Sequence, residues 1–173
     1  MRQRSTGAKF FFADAHLEPG ADTAGSHLFY DLRRKQAHDV VATIKAKNGS
    51  RLPTILVGDF NSHKFTAPSN GPYDIVTKAG YDDPLGNIYE STTNTWGATV
   101  EKRFRTYLNS FNGFKRLAPA HPNWVNGTNI DYILTTGLRV SQFETVARLD
   151  TAGNFVGVIP SDHNMIRATI YLN

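Results

Sequence analysis

The stretch "LPTILVGDFNS", residues 52–62, decides the fold. Ile55, Leu56 and Val57 are apolar at successive positions, and such a run reads as a strand covered on both faces. Asp59 and Asn61 then stand at its exit. A surface turn would explain them, since Asp and Asn favour turns by bonding their own backbone. A site held at the end of a rigid strand would explain them equally. Residues elsewhere must choose.

The 173 residues suffice for one domain with a sizeable core. Hydrophobic residues make up 40% and charged residues 20%, the balance of a globular protein. No apolar run is long enough to span a membrane. The absence of cysteine excludes disulfides and thiolate metal sites. A net charge of +4 favours an anionic partner without the charge density of a dedicated nucleic-acid binder. The opening "MRQRSTGAKFFFADAHL" lacks the apolar stretch and cleavage site of a signal peptide, and reads as a strand over residues 9–13. The absence of cysteine and the abundance of Thr, Asn and Gly are compatible with a secreted bacterial enzyme, and the compartment is left open.

Outward from residues 52–62, the periodicity predicts a helix over residues 27–47. Leu28, Phe29, Leu32, Val40, Val41 and Ile44 lie on its apolar side and Arg33 on its polar side, with Ser26 as N-cap and Gly49 as stop. A short helix is expected over 73–80, closed by Gly80. Strands are expected over 54–58, 129–136 and 164–173, the last with Ile166, Ala168, Ile170 and Leu172 on one face. Residues 84–125 read as long loops with at most short strands. Strands mixed with helices argue an α/β (α+β) layered domain.

Four stretches put polar groups at strand ends: Asp14 and His16, Asp59 and Asn61, Asn129 and Asp131, and Ser161 to Asn164. Each alone has a plain structural explanation. Asp131 is the hardest to dismiss. It alternates with apolar residues on a strand, and a partly buried carboxylate needs a partner. That partner is either an arginine in a structural ion pair or His163. An Asp–His pair would fix the imidazole tautomer and raise its basicity.

"AHL", "ILVGDFNS", "IDYIL" and "SDHNMI", in this order over residues 15–166, resemble the endonuclease/exonuclease/phosphatase superfamily. The resemblance implies one domain over residues 1–173, part of a four-layer α/β/β/α sandwich with mixed, largely antiparallel sheets. It implies catalytic roles for His16, Asp59, Asn61, Asp131 and His163. Asp59 would position the attacking water, and His16, Asn61 and His163 would contact phosphate. Asp131 would pair with His163, and Asp162 would be a metal-associated acid. Oxygen-rich ligation suits Mg²⁺ or Mn²⁺.

Two departures from the family pattern carry expectations. The His motif reads Asp14-Ala15-His16, without the family's usual Asn and Thr. The strand-end Asn and the metal-ligand Glu that family members carry upstream are absent, so the chain is expected to be the C-terminal part of the domain. An uncovered sheet face would then favour self-association. The expected function is divalent-metal-dependent phosphodiester hydrolysis, foremost a nuclease. A phospholipid or inositol-phosphate phosphoesterase is the alternative, and a non-catalytic binding domain lacking the metal-ligand Glu is another. Lys102, Arg103, Arg105, Lys115 and Arg116 interleave with Tyr107, Phe111, Phe114 and Trp124. That mixture suits a nucleic-acid backbone with unstacked bases, a lipid headgroup, or a loop packing its own aromatics.

Overall fold

Strand β2, Thr54–Asp59, is the central strand of a three-stranded sheet in the order β1-β2-β4. The computed structural model describes residues 1–64, 71–86, 97–120 and 125–172. Strand β1, Phe11–Asp14, runs parallel to β2, and β4, Asp131–Thr135, runs antiparallel to it. A second sheet has the order β3-β5-β6, built from Lys102–Phe104, Val140–Val146 and Met165–Ile170. It too holds one parallel and one antiparallel pair. Helices α1, Leu28–Lys47, and α2, Gly71–Lys78, complete a mixed α/β architecture with two mixed sheets.

The apolar run of β2 is buried on both faces, as its composition requires. Leu56 joins Tyr132 and Leu134 of β4 in one core with Ala37 and Ile44 of α1 and Tyr73 and Val76 of α2. Its neighbours Ile55 and Val57 face the other way, with Ile133, into a second core against Val140 and Phe143. Ile166, Ala168, Ile170 and Leu172 pack onto that second core, the face read from the sequence. The layers are therefore helices, first sheet and second sheet. Among the described residues, no helix is long and apolar enough to cross a membrane.

Three local readings need correction. The buried stripe of α1 is Tyr30, Arg33, Ala37 and Ile44, while Leu28 and Leu32 are exposed. Arg33 turns inward because its guanidinium donates to the Glu18 and Gly20 carbonyls and approaches Asp22, tying down the loop before the helix. The helix start is held mainly by the Asp22 carboxylate, which accepts from the Phe29 and Tyr30 N–H groups, while Ser26 Oγ makes only a long 3.4 Å contact to Leu28 N. Strand β5 escapes the sequence because "VSQFETV" does not alternate. A bulge between Val140 and Gln142 turns both Val140 and Phe143 inward.

On the outer side of the second sheet, Glu144 is buried between Arg105 and Arg167, while Phe104 and Met165 are exposed. Beside α2, Lys64 and Asp83 form a buried ion pair at 2.6 Å, and Asp83 also accepts from the Tyr73 hydroxyl.

Candidate active site

The register of β2 against β4 places Asp59 directly opposite Asp131. Both carboxylates therefore leave the same end of the first sheet. The chain after β1 continues the parallel ladder, with Ala15 N donating to Val57 O at 3.0 Å and Leu17 N to Asp59 O at 2.9 Å. His16 lies between these bonds and projects Nε2 to within 3.5 Å of Asp59 Oδ2. Asn61 adopts φ 47°, a left-handed conformation that Asn tolerates, and its N–H donates to Asp59 Oδ1 at 2.7 Å. The Asx turn and the site are thus one structure. The turn fixes the Asp59 carboxylate, and the Asn61 amide donates to Leu17 O at 2.9 Å.

His163 enters from the segment before β6. Its Nδ1 lies 2.9 Å from Asp131 Oδ2, and its Nε2 lies 3.8 Å from Asp59 Oδ2. A carboxylate only accepts, so Nδ1 carries the proton and Nε2 faces Asp59. This answers the question Asp131 raised: its partner is the histidine. Ser110, fully buried, steadies the pair, since its Oγ accepts from the Ile130 and Asp131 N–H groups. The Phe111 ring stands edge-on to the imidazole with centroids 5.2 Å apart. Asn112 bonds Asn164 Oδ1 and Ser161 O, locking loop 110–114 onto the His163 segment.

Burial pushes the Asp59 carboxyl above its ordinary value. The Asn61 N–H opposes this, the Asp131 charge reinforces it, and the two imidazoles oppose it. His163 is also raised. Burial works against its charged form, but the Asp131 hydrogen bond and the charges of Asp131, Asp59 and Asp162 outweigh that. A carboxylate raised by burial beside an imidazolium raised by carboxylates is an arrangement suited to proton transfer and anion binding.

Asp59, Asp131 and His163 offer ligand atoms within 4.8 Å of one another, a group fit to hold a cation. Its donors, two carboxylates and one imidazole, suit a divalent cation. Asp131 Oδ2 and His163 Nδ1 are already joined, so a cation would draw on Asp59 and the remaining Asp131 oxygen without breaking the pair. Asp162 stands beside this trio. Its carbonyl accepts from the Asn112 and Gly113 N–H groups, and its charge acts on His163.

Residues 4–163 match the sequence model of the Endonuclease/Exonuclease/phosphatase family. The chain belongs to this family. Its fold resembles that of an endonuclease/exonuclease/phosphatase family protein from Bacteroides thetaiotaomicron (TM-score 0.69, 20% identity, 99% of this chain and 54% of that one). It also resembles a mannosyl-6-phosphatase of the same organism (TM-score 0.68, 20% identity, 98% and 54%). A beta toxin mutant from Staphylococcus aureus with bound magnesium ions is similar at lower score (TM-score 0.51, 16% identity, 90% and 51%). No curated protein matches in sequence. The chain spans about half the length of these solved structures.

The structure thus brings His16, Asp59, Asp131 and His163 together, with Asn61 bonded to Asp59 and Asp162 acting on His163. Asn129 is buried just ahead of Asp131, and Asp14 ends β1. Sequence reading missed Ser110, for which no local signal exists, and the brace formed by Asn112, whose Asn-Gly step marks a turn. In the basic and aromatic loop, Arg105 is committed to Glu144. Arg116 donates to the Phe155 and Gly157 carbonyls, and Trp124 lies outside the described residues.

Proposed function

We propose that this chain carries the Asp–His machinery of a divalent-cation-dependent phosphodiester hydrolase. The observation that bears the reading is the convergence of His16 and His163 on Asp59, with Asp131 behind His163. Asp59 accepts a hydrogen bond from the attacking water and orients it at phosphorus, and its raised proton affinity suits it to take that proton. The His163 imidazolium, sustained by Asp131, neutralises a non-bridging oxygen as charge builds there. His16, exposed on the other side of Asp59, donates to a phosphate oxygen or to the leaving alcohol. The Asn61 amide has one hydrogen on Leu17 O and gives the other to phosphate. Asp59 and Asp131 would hold the cation, with Asp162 near it, and the bound ion supplies further charge neutralisation at the phosphoryl group.

Nucleic acid is the finer substrate assignment proposed from sequence. Lys102, Lys115 and the exposed rings of Phe111 and Phe114 support it, and the commitment of Arg105 and Arg116 to protein partners weakens it. The test is Mg²⁺-dependent hydrolysis of plasmid DNA, sphingomyelin and bis(p-nitrophenyl) phosphate, with mannose 6-phosphate as the monoester control. Hydrolysis of at least one diester, falling at least about 100-fold in Asp59→Asn, is expected. Equal rates for wild type and Asp59→Asn on every substrate would leave the non-catalytic binding domain as the surviving alternative.

A further inference from the structure

Beside His163, between the end of β5 and residues 155–165, lies a cleft of roughly 330 Å³. Its lining is of two kinds. His163, Ser161, Asn112 and Asn164 are polar; Val146, Phe155, Val156, Val158, Ile159 and Met165 are apolar. The two asparagines bond each other and Ser161 O, so much of their polarity is already used within the protein. Val156, Val158 and Met165 are 40%, 88% and 61% exposed. Apolar surface left open beside a catalytic imidazole is a feature of binding grooves.

The wall is also rigid. Leu149 bridges Phe155 across a tight turn, in which the Asp150 carboxylate accepts from the Ala152 and Asn154 N–H groups. Arg116 clamps the Phe155 and Gly157 carbonyls from outside. A preformed cleft loses little order when it is filled. Among the described lining residues Arg148 is the one charged side chain besides the titratable His163, and its sign favours an anionic ligand.

We propose that this cleft receives the apolar substituent, aliphatic or aryl, of a small soluble phosphoester whose phosphate meets His163. The assignment rests on reading the Asp–His cluster as a phosphoester site. The occupant follows from continuity, because the imidazole that meets phosphate also lines the cleft. The cleft's size suits a small molecule rather than a membrane surface.

The test is equilibrium binding of methylphosphonate and hexylphosphonate by calorimetry, kept separate from turnover. Each buried methylene gives about a fourfold gain, so burying two of the additional ones suffices for about tenfold tighter binding of the hexyl compound. Val156→Asn, an uncharged polar change at an exposed position, should erase that preference while leaving methylphosphonate binding unchanged. Ala147→Trp, which fills the cleft, should do the same. His163→Ala should weaken both ligands. Equal binding of the two phosphonates would overturn the proposal. So would a preference that survives both cleft variants, or hexyl binding indifferent to His163→Ala. Binding to phosphatidylcholine vesicles without binding of the monomeric phosphonate would also overturn it. A chain-length preference without hydrolysis of any ester would refute the hydrolase reading and leave the cleft assignment standing.

Discussion

Gly58→Ala tests whether strand spacing positions His16 against Asp59, the pair proposed to act on phosphate. A Cβ at Gly58 would lie 1.8 Å from the Ala15 carbonyl oxygen, where real Cβ contacts essentially never fall under 3.0 Å. The obstacle is backbone, so β1 and β2 must separate locally by at least about 1.2 Å. That motion strains the two ladder bonds flanking His16, Ala15 N to Val57 O and Leu17 N to Asp59 O. Two such bonds contribute about 1 kcal/mol each. Holding alanine at φ 148° adds about 1–3 kcal/mol. The expected destabilisation is therefore about 3–5 kcal/mol, a large part of a typical domain's stability. His16 moves with the strand, and a displacement near 1 Å costs about 100-fold in rate. Gly80→Ala is the control, because Gly80 has φ 95° and nothing within 4 Å of an added Cβ. It should lose only the backbone contribution, about 1–3 kcal/mol, with activity retained. Urea denaturation and diester hydrolysis, measured on both variants, decide the matter. Equal urea midpoints and equal activities would refute the reasoning.

Further outcomes follow from the same contacts. Asp131→Asn removes the nearest charge that raises His163 and leaves at most a neutral hydrogen bond, so the imidazole should titrate lower in an NMR titration, with hydrolysis down by about 10³–10⁴. Because His163 is raised on folding, its stabilising contribution is whole below its ordinary pKa of 6.5 and fades as pH rises through the folded value. Asp131→Asn should lose stability most below that window, read from urea midpoints at several pH values. Ser110→Ala leaves the Ile130 and Asp131 N–H groups without their acceptor and should cost about 1–3 kcal/mol in chemical denaturation, with a loss of activity that Ser110→Thr partly restores. Asp83→Asn strands the buried Lys64 ammonium and should cost about 3–5 kcal/mol, while the His163 titration stays unchanged.

Sequence alone determined the strand expected over 54–58 and found as Thr54–Asp59, determined its burial on both faces, and singled out the candidate site residues. Consecutive apolar side chains on a period-two strand must find cover on both sides, and chemistry-bearing residues clustered in short words at strand ends. The long helix was legible in extent but not in orientation. Arg33 looks like a surface residue until the loop carbonyls that bind it are known. Strand β5 was hidden by a bulge, which breaks the alternation that sequence reading depends on. Only the tertiary structure decided that Asp131 pairs with His163 and not with an arginine, that Asp59 faces both imidazoles, and that Ser110 and Phe111 support them. Those relations join residues far apart along the chain. They are fixed by strand register and loop bracing, and both arise from packing that no local run of sequence encodes.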